Sequence, residues 1–235
     1  MAVVGTVRRV GKTVVAAGLA RALALRGVRV GVFKPVAIGC HRRMREGLVC
    51  PDSEFLAHCA DAPHDLATIN PLRYAGRLVP AECAAREHRP LDLAEIERCR
   101  ARITADSDYV VTEMVGGLVE PLDRGTVVAD LLERWSLPVV LVASAAEETI
   151  NNVLMAIECT RERGLPLAAV ALNRYTADGA SLADEIQPEL LARYSGVDLP
   201  VVIPQDKETD PARAKLGPAV VEALTPLAAS LRPAV

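Results

Sequence analysis

The sequence predicts an α/β fold, a doubly wound and mostly parallel sheet flanked by helices. Three observations predict it. Short, uninterrupted apolar runs alternate with helix-length stretches along all 235 residues, the pattern of strands buried on both faces. The first run, Ala2 to Val4, leads at once into Gly5-Thr6-Val7-Arg8-Arg9-Val10-Gly11-Lys12-Thr13 and then alanine-rich Val14–Ala20, which reads as strand, loop, helix. Polar or chain-turning residues sit at the carboxyl ends of the runs: Gly5, Lys34, Glu113, Ser144, Asn173 and Pro204. In open parallel sheets that edge holds the ligand.

Taken in order, the first helix should run from Lys12 to Arg26 and stop at Gly27. Val28–Phe33 is the second strand. Pro35 ends it and leaves Lys34 at its tip. Residues 40–51, with His41, Arg42, Arg43 and Arg45, read as a mobile polar loop. Asp52-Ser53-Glu54 caps a short helix that reaches Ala60. Residues 61–80 contain Pro63, Pro71 and Pro80 and read as mostly irregular. Helices are expected to start at Pro80 and to span Asp92–Ala105, the second with Leu93, Ile96 and Ile103 on its apolar side. Asp108–Glu113 is a buried strand ending on a carboxylate, next to a flexible Gly116-Gly117. Thr126–Trp135, Thr149–Arg163, Ser181–Tyr194 and Pro218–Leu231 read as helices. Pro138–Ala143, Leu167–Asn173 and Pro200–Ile203 read as the strands between them.

No linker-like stretch divides the chain, so residues 1–235 are expected to form one domain. Hydrophobic residues make up 51% and aromatics only 3%, so the core is built of Val, Leu, Ile and Ala. The net charge of −3 argues against nucleic acid as main partner. No apolar run is long enough to span a bilayer and no signal peptide is evident, so a soluble, cytoplasmic protein is expected. Six cysteines without a C-x-x-C pair read as reduced, mostly buried thiols rather than a zinc site.

The Gly-Lys-Thr ending of the first loop carries the chemistry. Small residues let backbone N–H groups converge on phosphate oxygens, and the helix behind adds its positive end. Arg9, Val10, Gly11, Lys12, Thr13 and Val14 are the candidate phosphate contacts, with Lys12 reaching the β- and γ-phosphates and Thr13 a magnesium ion. Lys34 is a candidate catalytic cation, against the plainer reading of a solvated lysine. Glu113 ends a buried strand, where an unpaired charge is costly, so a metal or phosphate role is expected. Asp52 is a magnesium ligand or simply a helix cap, and Asn173 a nucleotide contact or a turn residue. Arg8 and Arg9 are exposed loop charges or phosphate clamps.

The loop, Lys34-Pro35-Val36, Asp52, and Thr112-Glu113 followed by Gly116-Gly117 together resemble the dethiobiotin synthetase family, within the phosphate-loop NTPase fold. Smaller echoes continue in order through Ile69-Asn70-Pro71, Pro121-Leu122, Ile150-Asn151, Leu172-Asn173 and Ile203-Pro204. The resemblance implies an ATP- and Mg2+-dependent ligase that closes a ureido ring from 7,8-diaminononanoate and CO2. It implies Lys12 and Lys34 in catalysis, and Thr13, Asp52 and Glu113 on the metal. Asn173 would meet the adenine edge, with Pro204, Gln205 and Asp206 lining the base. Arg8, Lys34, Ile38, Gly116 and Gly117 would face the diamine, and Asn151 its carboxylate tail across a homodimer interface. Four places depart from the family. Arg8 stands for Thr, Arg9 for Gly or Glu, Ile38 for Ser or Thr, and Met114-Val115 for Gly-Ala. Those changes leave a second expectation open, a nucleotide-binding regulatory module whose diamine site is lost or altered.

Overall fold

The computed structural model describes residues 1–145, 149–176, 187–198 and 200–231. In chain order the elements are β1 (Ala2–Gly5), α1 (Lys12–Ala24), β2 (Val30–Phe33), β3 (Val36–Ala37), β4 (His41–Arg43), β5 (Gly47–Val49) and α2 (Pro51–Cys59). Then come α3 (Leu66–Ile69), β6 (Leu72–Arg73), α4 (Pro80–Arg86), α5 (Leu93–Ala105), β7 (Tyr109–Glu113) and α6 (Val128–Trp135). The chain continues through β8 (Val139–Ser144), α7 (Thr149–Glu162), β9 (Leu167–Tyr175), α8 (Gln187–Ser195), β10 (Val201–Pro204) and α9 (Pro218–Ser230). Of the helix expected over 181–194, residues 181–186 lie outside the described residues.

Six strands form one sheet in the order β10-β9-β8-β1-β7-β2, and every pairing is parallel. Side chains alternate across it with period two. Ala2, Val4, Leu141 and Ala143 pack with α5, α6 and α7, while Val3, Val140 and Val142 pack with α1, α2 and α9. Both faces are therefore covered, which is why the strands are apolar without interruption. Among the described residues no helix is long and apolar enough to cross a membrane.

Two expectations change. Residues 40–51 are not a loop: β4 and β5 form an antiparallel hairpin, with His41 opposite Val49 and Arg43 opposite Gly47. The charged outer side chains disguise it, and Gly47 supplies the turn with φ 74°. Residues 61–80 are mostly irregular, as their prolines suggest, apart from the short helix Leu66–Ile69 and β6, which pairs with β3. Asp52 is not a cap. Pro51 takes the first helical position of α2, so the cap falls on Cys50 and Asp52 sits inside the first turn.

Candidate active site

β1 ends at Gly5 in the middle of the sheet, and the loop that follows wraps to the start of α1. Gly11 caps that helix with φ 86°, and its carbonyl accepts from Val14 and Val15. A side chain there would stand 2.1 Å from Asn173 Nδ2, which donates to Val10 O at 2.9 Å. Asn173, 3% exposed, therefore braces the loop from the end of β9. Gly117 passes so close that a Cβ on it would lie 3.1 Å from Gly5 O. Lys12 is buried, its ammonium against the opening of the loop. Burial lowers its pKa and Glu113 works against that.

Glu113 sits at the tip of β7, 1% exposed. Its Oε1 accepts from Thr13 Oγ1 at 2.8 Å and lies 2.7 Å from Lys34 Nζ. Lys34, at the tip of β2, also donates to Asp52 Oδ2 at 3.0 Å. Burial opposes the charge of Lys34, but Glu113 and Asp52 overcome it and raise its pKa. The Lys34 ammonium in turn holds the Asp52 carboxyl below the usual range. The other oxygen, Glu113 Oε2, is buried without a hydrogen-bond partner. A buried, unpaired carboxylate oxygen is costly. With Thr13 Oγ1 and the Asp52 carboxylate it makes a hard-oxygen donor set that fits a magnesium ion or its water.

These groups open onto a cleft of about 610 Å³. Arg8, Arg9, Gly11, Lys12, Thr13, Val14, Lys34, Ile38, Asp52, Glu113 and Gly116 line it, so most of the predicted residues come together. Arg9 and Arg174 both hold left-handed φ values, 64° and 60°, on its rim. Such conformations collect at ligand clamps. Arg8 donates to the Arg77 carbonyl at 3.4 Å and forms an ion pair with Glu120.

Sequence reasoning missed Arg77, Arg174 and Glu120, each far from the loop in sequence. Met114 does not fill the cleft: it is 1% exposed in the core, its N–H on Val3 O, and Val115 lines the cleft instead. Val10 is likewise buried behind the loop. Asn151 lies exposed on α7, its amide against Met155, and does not line the cleft. Pro204 ends β10 and Gln205 and Asp206 follow it, with Gln205 N donating to Tyr175 O and Asp206 Oδ1 accepting from Glu208 N. None of the three lines the cleft, although Pro211 beyond them does. A larger hollow of about 1090 Å³ on the far side of α1 touches none of the predicted residues.

A family model described as an AAA domain matches residues 1–213. The ATP-dependent dethiobiotin synthetase of Anaeromyxobacter dehalogenans is 36% identical over 172 residues, 73% of this chain and 75% of that protein. The chain belongs to the dethiobiotin synthetase family. The family's enzyme of the same name from Methylobacterium nodulans is 34% identical over 201 residues, 83% of this chain and 88% of that one. Among solved structures, a ParA family ATPase from Chlorobium tepidum matches with TM-score 0.61 at 13% identity, covering 98% of this chain and 99% of that one. The septum site-determining protein MinD of Pyrococcus horikoshii, complexed with Mg-ADP, matches with TM-score 0.57 at 18% identity, covering 97% and 93%. Those two share the fold. Dethiobiotin synthetases share the sequence as well, and the members of this family are ATP-dependent ligases.

Proposed function

We propose that the protein is a dethiobiotin synthetase that joins CO2 to 7,8-diaminononanoate at the expense of ATP. One observation carries the reading: Thr13 and Lys34 converge on Glu113, Lys34 also holds Asp52, and the second oxygen of Glu113 is buried and unpartnered beside the phosphate loop. The reaction brings two anions together, a substrate carbamate and the γ-phosphate. Lys12 and Lys34 lie at the two sides of that meeting point and offset the repulsion. The backbone N–H groups that open α1 hold the β-phosphate. Thr13, Asp52 and Glu113 would hold a magnesium ion, which would supply neutralisation of the phosphate charge.

The carbamate oxygen attacks the γ-phosphorus and ADP leaves. The second amine then attacks the carbamate carbon, phosphate leaves and the ureido ring closes. Lys34 keeps its proton throughout, because Glu113 and Asp52 stabilise its charge, and so acts as a fixed cation rather than a base. Asn173 works through the loop it braces. Asn151 is exposed outside the cleft, so the carboxylate contact that the resemblance implies for it requires a second copy of the chain.

Purified protein supplied with 7,8-diaminononanoate, bicarbonate and Mg-ATP is expected to form dethiobiotin and ADP. Absence of dethiobiotin at high enzyme concentration sinks the reading. A second reading rests on the Arg8–Glu120 ion pair, which crosses the acceptor end of the cleft where the family has threonine. It makes the protein a nucleotide-binding module with an altered diamine site. Calorimetry that shows Mg-ATP binding and no heat from the diamine decides for it.

A further inference from the structure

The hairpin beside the site ends in two cysteines. His41 pairs with Val49, so continuing that register by one residue brings Cys40 and Cys50 opposite each other just beyond the strand ends, where they share one buried cluster. Residues opposite one another in an antiparallel pair have Cα atoms roughly 4.5–5.5 Å apart, inside the roughly 4.4–6.8 Å that a disulfide spans. Both thiols are buried, 5% and 4% exposed, in a small apolar cluster with Ala37 and against Leu48. No other cysteine shares the cluster.

Each cysteine is tied to a different part of the site. Cys40 N donates to Tyr74 O at 2.9 Å, which fixes it to the segment after β6. Cys50 caps α2: its carbonyl accepts from Ser53 and Glu54, and Asp52 lies two residues on with its carboxylate on Lys34. Arg43 forks onto Glu54 at 2.6 and 2.9 Å, so hairpin and helix move together. Pulling the two sulfurs to bonding distance, about 2.05 Å, therefore shifts the start of the helix that carries Asp52.

We propose that Cys40 and Cys50 are a reversible disulfide site that controls the Lys34–Asp52 contact and with it nucleotide binding. The chemistry balances with hydrogen peroxide as oxidant. One thiol gives its sulfenic acid and water. The second thiol then displaces a second water and closes the S–S bond. Reduction by a dithiol restores both S–H groups.

The effect on nucleotide rests on the active-site reading above; the bond does not. The test treats the full chain with a slight excess of hydrogen peroxide, maps the cysteines by mass spectrometry, and measures binding of a fluorescent ATP analogue with magnesium. The expected result is a Cys40–Cys50 crosslink that dithiothreitol reverses. Affinity should fall about fivefold or more, the lower range of coupling between sites. Cys40→Ser should bind nucleotide like the reduced wild type and form no crosslink, with its affinity unchanged by the same peroxide treatment that oxidises Cys50 to the sulfenic acid. Oxidation that goes first to Cys159, a crosslink to any other cysteine, or a full crosslink with unchanged affinity overturns the proposal. Failure of the reduced protein to bind nucleotide sinks the site reading and the control with it, while the mapped bond still decides the thiol pair.

Discussion

At one end of the cleft Lys12, Lys34 and Glu113 are buried, and Thr13, Lys34 and Asp52 all contact one another through Glu113 or directly. At the other end Arg8 is 38% exposed and reaches over open space to Glu120 and the Arg77 carbonyl. The first end carries the residues that the resemblance implies, and the second holds Arg8 where the resemblance implies threonine. The buried end is hard to change because each charge there is stabilised only by its neighbours. Removing one leaves another desolvated and unpaired. Arg8 at the other end is partly exposed, so its charge can be exchanged at smaller energetic consequence. Substrate choice can drift at one end of the cleft while the phosphate chemistry at the other stays fixed.

The sharpest way to break this contrast is Lys12→Ala, which should abolish nucleotide binding by fluorescence titration. Retained affinity would mean that the loop is not the phosphate site. Lys34→Ala should keep nucleotide affinity and lose dethiobiotin formation, and equal loss of both would make Lys34 a plain phosphate contact. Glu113→Ala strips the buried Lys34 of its nearest partner, and a cost of about 3–5 kcal/mol in urea unfolding is expected for half of a buried pair.

The acid limb of stability offers a subtler check. The folded-state pKa of Asp52 is depressed, so its contribution is present above the ordinary aspartate value of about 3.9 and is lost as pH falls through the lower folded value. Lys34 works in the opposite direction, its contribution disappearing only above the ordinary lysine value of about 10.4. Asp52→Asn should flatten the melting-temperature decline below about pH 4 and leave the neutral plateau's shape unchanged. The smallest effect belongs to Arg8→Thr: under about 1 kcal/mol in stability, as for exposed ion pairs, with a changed KM for the diamine and none for ATP. A change in the KM for ATP alone would place Arg8 on the phosphates.

How much of this was legible in the sequence follows from range. The phosphate loop and the tips of β1, β2 and β7 announce themselves locally, through Gly-Lys-Thr, Lys34-Pro35 and Glu113 at the end of an apolar run. The hairpin did not, because charged residues from His41 to Arg45 resemble a loop while the inward Cys40, Val49 and Cys50 are too few for a visible period. Pro51 moved the cap of α2 by two residues and freed Asp52 for Lys34. Arg77 and Glu120 escaped for a different reason. They meet Arg8 across 69 and 112 residues, and nothing in either local segment points to the other.

The amide of Asn173 holds the carbonyl of Val10, a residue made 163 positions earlier. A ribosome releases the N-terminal loop long before it adds the side chain that steadies it. The nascent protein therefore lacks a finished grip on nucleotide until β9 has emerged and docked against β8. Fragments that stop short of that strand should stay silent in a nucleotide-capture experiment, however faithfully they carry the Gly-Lys-Thr sequence.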